Sequence, residues 1–185
     1  KFYRELILHK KAYPCFYSNK RLEDLQTGKL SSQDATIEDE IFKNFNTETV
    51  FSKMDEESFV VRLMIPNNEH LIHSDLIKGK VTFDLKLIND PIIIKTDGFP
   101  TYHFANVVDD HLMNITHVIR GEEWLPSIPK HIILYQALNW SPPQFAHLPL
   151  LLNSDKTKLS KRKNDVSVEK YIENGYLKEA LINFL

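Results

Sequence analysis

The sequence predicts an α/β layer preceded by an α+β segment, and three observations carry that reading. Thr116–Arg120 is a β-branched run typical of a buried strand, Lys130–Leu138 has apolar residues at helical spacing, and Phe145–Leu152 is again strand-like. Alternation of strand and helix from about Ile92 to Leu152 favours parallel strands joined by crossover helices, the architecture that binds nucleotides at its strand ends. The earlier part has three strand-like runs, Phe59–Ile65, Lys80–Asp84 and Pro91–Lys95, separated by turn residues.

In chain order, Phe2–Lys10 has apolar residues at helical spacing, and Ala12–Tyr17 has the aromatic, Pro-bounded look of a short strand. Ser18 or Asn19 supplies an N-cap for a helix over Arg21–Gln26. The stretch from Thr27 to Glu57 is polar and charge-rich, with weak helical periodicity around Ile41, Phe42 and Phe45, and reads as a surface insertion. Asp97-Gly98 followed by Pro100 marks a turn, after which Tyr102–Val108 has helical spacing. The last thirty or so residues open a helical region. The most economical division is residues 1–95, 96–153 and 154–185.

A chain 42% hydrophobic and 26% charged has the composition of a globular protein rather than a disordered or fibrous one. Apolar stretches such as Pro91–Ile94 and Leu148–Leu152 fall far short of the ~20 residues needed to cross a bilayer. The start lacks the apolar core of a signal peptide and an initiator Met, and both ends read as mid-helix, so an internal fragment is expected. The single cysteine, Cys15, excludes an intramolecular disulfide and a Cys-only zinc site, and fits a reducing compartment. A net charge of −2 argues against a generally basic nucleic-acid binder and leaves room for a local basic patch.

Such a patch is Lys156–Lys163, with five basic residues in eight and Ser160 among them. Mobile ammonium groups can neutralise a polyphosphate as its charge shifts, although on charge alone a solvated surface loop is the default. Arg120 offers a guanidinium fork that matches a carboxylate, against the plainer alternative of an ion pair with Glu122 or Glu123. Tyr102 and Trp124 read as core or rim aromatics and His103 as a structural histidine. Asp109, Asp110 and His111 are consecutive, so on a helix they point in different directions, and a structural role is expected. His70 and His73 read as surface residues of a loop.

The order of residues adds a resemblance. Lys158-Leu159-Ser160-Lys161-Arg162 resembles the KMSKS signature of class I aminoacyl-tRNA synthetases. More specific is the block from Asp97-Gly98-Phe99-Pro100-Thr101-Tyr102-His103 through Asp109-Asp110-His111 to Arg120-Gly121-Glu122-Glu123-Trp124, which resembles the glutamate-binding half of bacterial-type glutamyl-tRNA synthetases. Ala12-Tyr13-Pro14-Cys15-Phe16 is similar to the entrance of that family's acceptor-binding insertion, and Phe145–Leu151 to its strand before the signature loop. Apart from Thr27–Glu57, the resemblance covers nearly the whole chain.

It implies the second half of a class I Rossmann-like catalytic domain in residues 96–153, with an inserted α+β acceptor-binding (connective) domain in 1–95. Residues 154–185 would be the signature loop and the start of a helical stem-contact region. The implied activity is ATP-dependent formation of glutamyl-adenylate and transfer of glutamate to tRNA-Glu, with tRNA-Gln an open question. By the resemblance Arg120, Tyr102 and Asn106 bind glutamate, Glu123, Trp124, Leu151 and Lys161 lie at ATP, and Lys161, Lys158 and Ser160 serve the departing pyrophosphate. Magnesium accompanies ATP as substrate. Some relatives hold zinc with a Cys-x-Cys pair, but Tyr17 replaces the second cysteine, so no zinc and no other protein-held metal is expected. A monomer without membrane contact is expected, in the mitochondrial matrix or, alternatively, a bacterial cytoplasm. The family's His-x-Gly-His motif occurs nowhere in the 185 residues, so the chain alone is expected to be inactive. A non-catalytic tRNA- or partner-binding module and a paralogue that glutamylates a tRNA base are the alternatives.

Overall fold

A computed structural model describes residues 1–16, 46–67, 70–150 and 167–184 of the chain. Helix α1 (Phe2–Leu8) buries Leu6 and Ile7 and leads into β1 (Ala12–Cys15), all four residues of which are buried. Strand β1 ends at Cys15, short of the expected Tyr17. The expected helix over Arg21–Gln26 and the periodicity around Ile41–Phe45 lie outside the described residues.

Helix α2 (Thr47–Glu56) corrects the reading of 27–57 as surface insertion throughout, because Val50 and Met54, one turn apart, are both buried in the main core. Among so many charges, two apolar residues suffice to dock a face, and composition averages them away.

Strand β2 (Val60–Leu63) lies between β1 and β5 (Ile92–Ile94) in an antiparallel sheet of order β1-β2-β5. Pro14 sits on the edge strand, where its missing N–H interrupts no ladder. Asp90 ties this sheet together, accepting from the Tyr13 hydroxyl at 2.9 Å and the Ile65 amide at 2.8 Å, while its carbonyl accepts from Arg62 Nη1 at 2.8 Å. The antiparallel pairing of β5 corrects the expectation that parallel strands begin near Ile92. A run of Ile shows burial but not strand direction, which the partner decides.

A hairpin of β3 (His70–Asp75) and β4 (Gly79–Asp84) follows β2 in the chain. Its turn ends on Gly79 at φ +69°, a conformation strained for any residue with a Cβ. Strand β3 replaces the loop expected around His70 and His73. Its inward positions include His73 and Asp75, so the alternation of burial is not an alternation of hydrophobicity.

The α/β layer consists of α3 (Tyr102–Leu112), β6 (His117–Gly121), a 3-10 turn (Glu122–Ser127), α4 (Ile128–Ala137) and β7 (Gln144–Leu148). Strands β6 and β7 are parallel and α4 is the crossover between them, as the α/β alternation predicts. Helix α4 is apolar on nearly every side and buries Ile128, Ile132, Ile133, Leu134 and Tyr135. One core runs from Leu6 and Val61 through Ile93 and Phe104 to Leu134 and Phe145, continuous across Lys95. Two short helices, α5 (Val168–Glu173) and α6 (Lys178–Phe184), close the described chain, and Ser167 caps α5 by accepting from the Lys170 amide at 3.3 Å.

Candidate functional site

Arg120 stands near the end of β6 directly opposite His147 of β7, so parallel pairing puts both side chains on the same face. Arg120 Nε donates to His147 Nε2 at 3.1 Å. His147 Nδ1 in turn lies 2.6 Å from Asp75 Oδ2, and the His147 amide donates to Asp75 Oδ1 at 3.2 Å. The amides of Ile77 and Lys78 donate to the same oxygen at 3.0 and 2.9 Å, so Asp75 also closes the β3–β4 turn. The hairpin is fastened to β7 a second time by the Leu76 amide, which donates to the Phe145 carbonyl at 2.9 Å.

Asp75 and His147 are 4% and 0% exposed, so their polar atoms depend on each other. Burial by itself would raise the Asp75 carboxyl. Hydrogen bonds from the His147 ring and from the amides of Lys78, Ile77 and His147 outweigh it and hold the group well below the usual carboxylate range.

The Arg120 guanidinium carbon lies 5.5 Å from the centroid of the Phe145 ring and 5.8 Å from that of Trp124. Burial pushes the guanidinium down from its ordinary value, with Tyr102, Asp110 and Asp75 acting the other way. A guanidinium stays charged under such a shift. Its Nη2 is buried and makes no hydrogen bond among the described residues. A half-buried, aromatic-flanked cation with a buried spare donor is built to take an anion.

Tyr102 opens α3, with its ring 5.2 Å from that of Trp124, and both are exposed enough to form a rim beside Arg120. Asn106 follows one turn later on the same helical face and is half-buried. The three residues assigned to glutamate therefore come from one helix face and one strand end. Glu123 and Trp124 follow Arg120 in the 3-10 turn, and Gly121 leaves the space that the Glu123 carboxylate occupies, since a Cβ there would collide with it. Glu122, the plainer partner considered for Arg120, instead pairs with the Lys78 ammonium and accepts from the Leu150 amide at 3.2 Å. Leu151, Lys158, Ser160 and Lys161 lie outside the described residues.

Behind the site, α3 and α4 meet through polar groups. His103 Nδ1 is 3.0 Å from His131 Nε2, and burial, with Arg120 and His103 contributing, pushes His131 down to about 3. Tyr135 is pushed up to about 12 by burial and by Asp110, and its hydroxyl is buried without a hydrogen bond among the described residues. His103 is thus engaged with a neighbouring helix, in keeping with its structural reading. His111 stacks on Trp140 with centroids 3.8 Å apart, while Asp109 is exposed and Asp110 half-buried, so the three diverge from one another.

Sequence reasoning missed Asp75, His131 and Tyr135, and saw His147 only as part of a strand. A histidine inside the apolar run Phe145-Ala146-His147-Leu148 was the available signal, since a buried imidazole needs a partner. The partner is remote in sequence.

Known proteins resemble this chain along its length. Residues 1–185 match the family described as tRNA synthetases class I (E and Q), catalytic domain. The glutamate–tRNA ligase of Chlorobium phaeobacteroides is 46% identical over 192 residues, covering 100% of this chain and 38% of that protein. That of Chlorobium luteolum is 57% identical over 127 residues, covering 69% of this chain and 25% of the relative. Among solved structures, a glutamate tRNA ligase from Elizabethkingia meningosepticum in complex with its amino acid superposes with a TM-score of 0.73 at 33% identity, covering 98% of this chain and 41% of that one. The chain thus spans about 38% of the length of curated relatives that it matches from end to end, and these relatives are bacterial.

Proposed function

Since the chain belongs to the class I tRNA synthetase (E and Q) family and falls within its catalytic domain, we propose that it forms part of a glutamate–tRNA ligase and supplies the wall that holds the glutamate side chain. The observation that carries this is Arg120, a guanidinium fixed at Nε, flanked by Phe145 and Trp124, with a buried Nη2 unbonded among the described residues.

Arg120 takes the side-chain carboxylate of glutamate in charge-assisted hydrogen bonds, Tyr102 lies beside it on the rim, and Asn106 supplies polar contacts. With the side chain anchored, the α-carboxylate is directed at the α-phosphate of ATP. Its oxygen forms the new bond to phosphorus while the bond to pyrophosphate breaks, giving glutamyl-adenylate. A hydroxyl of the tRNA terminal ribose then attacks the glutamyl carbonyl and AMP leaves. Both steps need positioning and charge stabilisation more than a protein nucleophile.

Glu123, Trp124 and Leu151 line the nucleotide side in this reading, and magnesium enters with ATP. Lys161 neutralises pyrophosphate as it departs, with Lys158 in support and Ser160 as a hydrogen-bond donor. Residues 1–95, with their antiparallel sheets, would meet the tRNA acceptor end, 96–153 the adenylate, and 154–185 the stem. tRNA-Glu is the proposed partner, tRNA-Gln a candidate second one, and the chain is proposed to act as a monomer. Cys15 is buried and is the single cysteine of the sequence, which suits a reducing compartment, either the mitochondrial matrix or a bacterial cytoplasm.

The test is glutamate-dependent ATP–pyrophosphate exchange by the natural full-length protein, with Arg120→Lys as the variant. Lysine keeps the charge and loses the fork, so KM for glutamate should rise by about tenfold or more, as the strength of a charge-assisted hydrogen bond implies. An unchanged KM would remove Arg120 from the glutamate site.

A further inference from the structure

Asp75 and His147 have no part in the chemistry above, yet both are buried, His147 bonded to Arg120 and Asp75 to His147. Their arrangement has a direction. Arg120 Nε–H is a donor, so His147 Nε2 must accept, and a ring nitrogen that accepts carries no proton. The imidazole proton therefore sits on Nδ1 and is donated to Asp75 Oδ2 at 2.6 Å. Asp75 is itself immobilised by three backbone amides, those of Ile77, Lys78 and His147. The chain of contacts runs from a tight turn of the β3–β4 hairpin, through an imidazole held on parallel strand β7, to the guanidinium on β6.

We propose that Asp75 and His147 are positioning residues that lock the Arg120 guanidinium in place, so that its terminal nitrogens face the substrate carboxylate. This rests on the reading of Arg120 as the ligand of that carboxylate. A guanidinium on a flexible stem must otherwise lose rotamer freedom on each binding event, whereas one held at Nε is already oriented. The aromatic rings of Phe145 and Trp124 limit its tilt but donate and accept nothing in its plane, so the in-plane orientation falls to His147. The hairpin, which lies before the α/β layer in sequence, thereby sets substrate geometry inside it.

The direction of the relay makes a specific test possible. In Asp75→Asn the carboxamide oxygen can still accept from the three amides, but its NH2 replaces the oxygen facing His147 Nδ1. The imidazole must then accept at Nδ1 and carry its proton on Nε2, where donor meets donor at Arg120. Shape is retained and the lock is inverted. His147→Phe fills the space with no acceptor, and His147→Gln returns an acceptor oxygen within reach of Arg120 Nε.

The assay is pyrophosphate exchange by the natural full-length protein, with KM measured separately for glutamate and ATP. Asp75→Asn and His147→Phe should raise KM for glutamate by about tenfold or more and leave that for ATP within about twofold, with His147→Gln much closer to wild type. A glutamate KM within about twofold of wild type in both Asp75→Asn and His147→Phe overturns the proposal. So does a parallel rise in both KM values with His147→Gln as impaired as His147→Phe, the mark of a merely structural role. Arg120→Lys run alongside separates the two levels. If it too leaves glutamate KM unchanged, the assignment of the site has failed, and if it alone raises that KM, only the positioning role has.

Discussion

Replacing Asp75 with alanine should release the β3–β4 hairpin from the α/β layer, and the size of the effect follows from four hydrogen bonds. The amides of Ile77 and Lys78 lie in a turn where Ile77 is exposed, so after the substitution water can take the place of the carboxylate. The His147 amide and ring Nδ1 are buried with a residue that is 0% exposed, so their donors are stranded. With ~1–3 kcal/mol for each stranded donor and less for each rehydrated one, Asp75→Ala costs about 3–5 kcal/mol. Hydrogen exchange followed by mass spectrometry reads this locally. Segments covering 70–84 and 144–148 should exchange roughly 100-fold faster or more, since about 1.4 kcal/mol corresponds to a factor of ten. The sheet β1-β2-β5, held by Asp90 and not by Asp75, should keep its protection. Protection of 70–84 and 144–148 unchanged from wild type would mean that Asp75 carries no such weight, and the reasoning would fail.

Acid should weaken the fold in two windows. His131, held at about 3 when folded against 6.5 for the free side chain, takes up its proton more readily once unfolded, so stability is full above pH 6.5 and is lost as pH falls towards 3. His131→Leu should flatten that part of a plot of melting temperature against pH. The Asp75 contribution is lost further down, as pH falls below 3.8 towards its depressed folded value. Leu134→Ala, at a position with 0% exposure, should cost about 2–5 kcal/mol in denaturant unfolding. Ile182→Ala, on an exposed helix face, should stay within about 0.5 kcal/mol of wild type. In the basic run Lys156–Lys163, Lys161→Ala should slow glutamate-dependent pyrophosphate exchange by ~100-fold or more with little change in KM for glutamate, the signature of a group that acts on departing charge.

Helix α3, helix α4 and strand β7 were legible because their burial coincides with apolar patterning, and each lies within a few residues of where the pattern places it. Strand β6 also lies where its β-branched run places it, but it is not the buried strand expected: none of its residues is buried and Ile119 is 65% exposed. Tyr102, Asn106, Arg120 and Trp124 became site candidates because they lie in one ordered block, Tyr102 to Trp124, whose residue order resembles a known family. Strand β3 was invisible because its buried face includes Asp75 and a half-buried His73, and the docking of α2 rests on Val50 and Met54 amid charged neighbours.

The sequence by itself determined the family, the α/β layer and the cation at Arg120, since these depend on residue order and local periodicity. Only the tertiary structure decided what holds that cation. Asp75 and His147 are 72 residues apart and Arg120 and His147 are 27 apart, so no local pattern links them. Their contact depends on the register of β6 against β7 and on the docking of the β3–β4 turn. A buried polar residue is stable only with its partner in place, and the partner is a property of the packed chain.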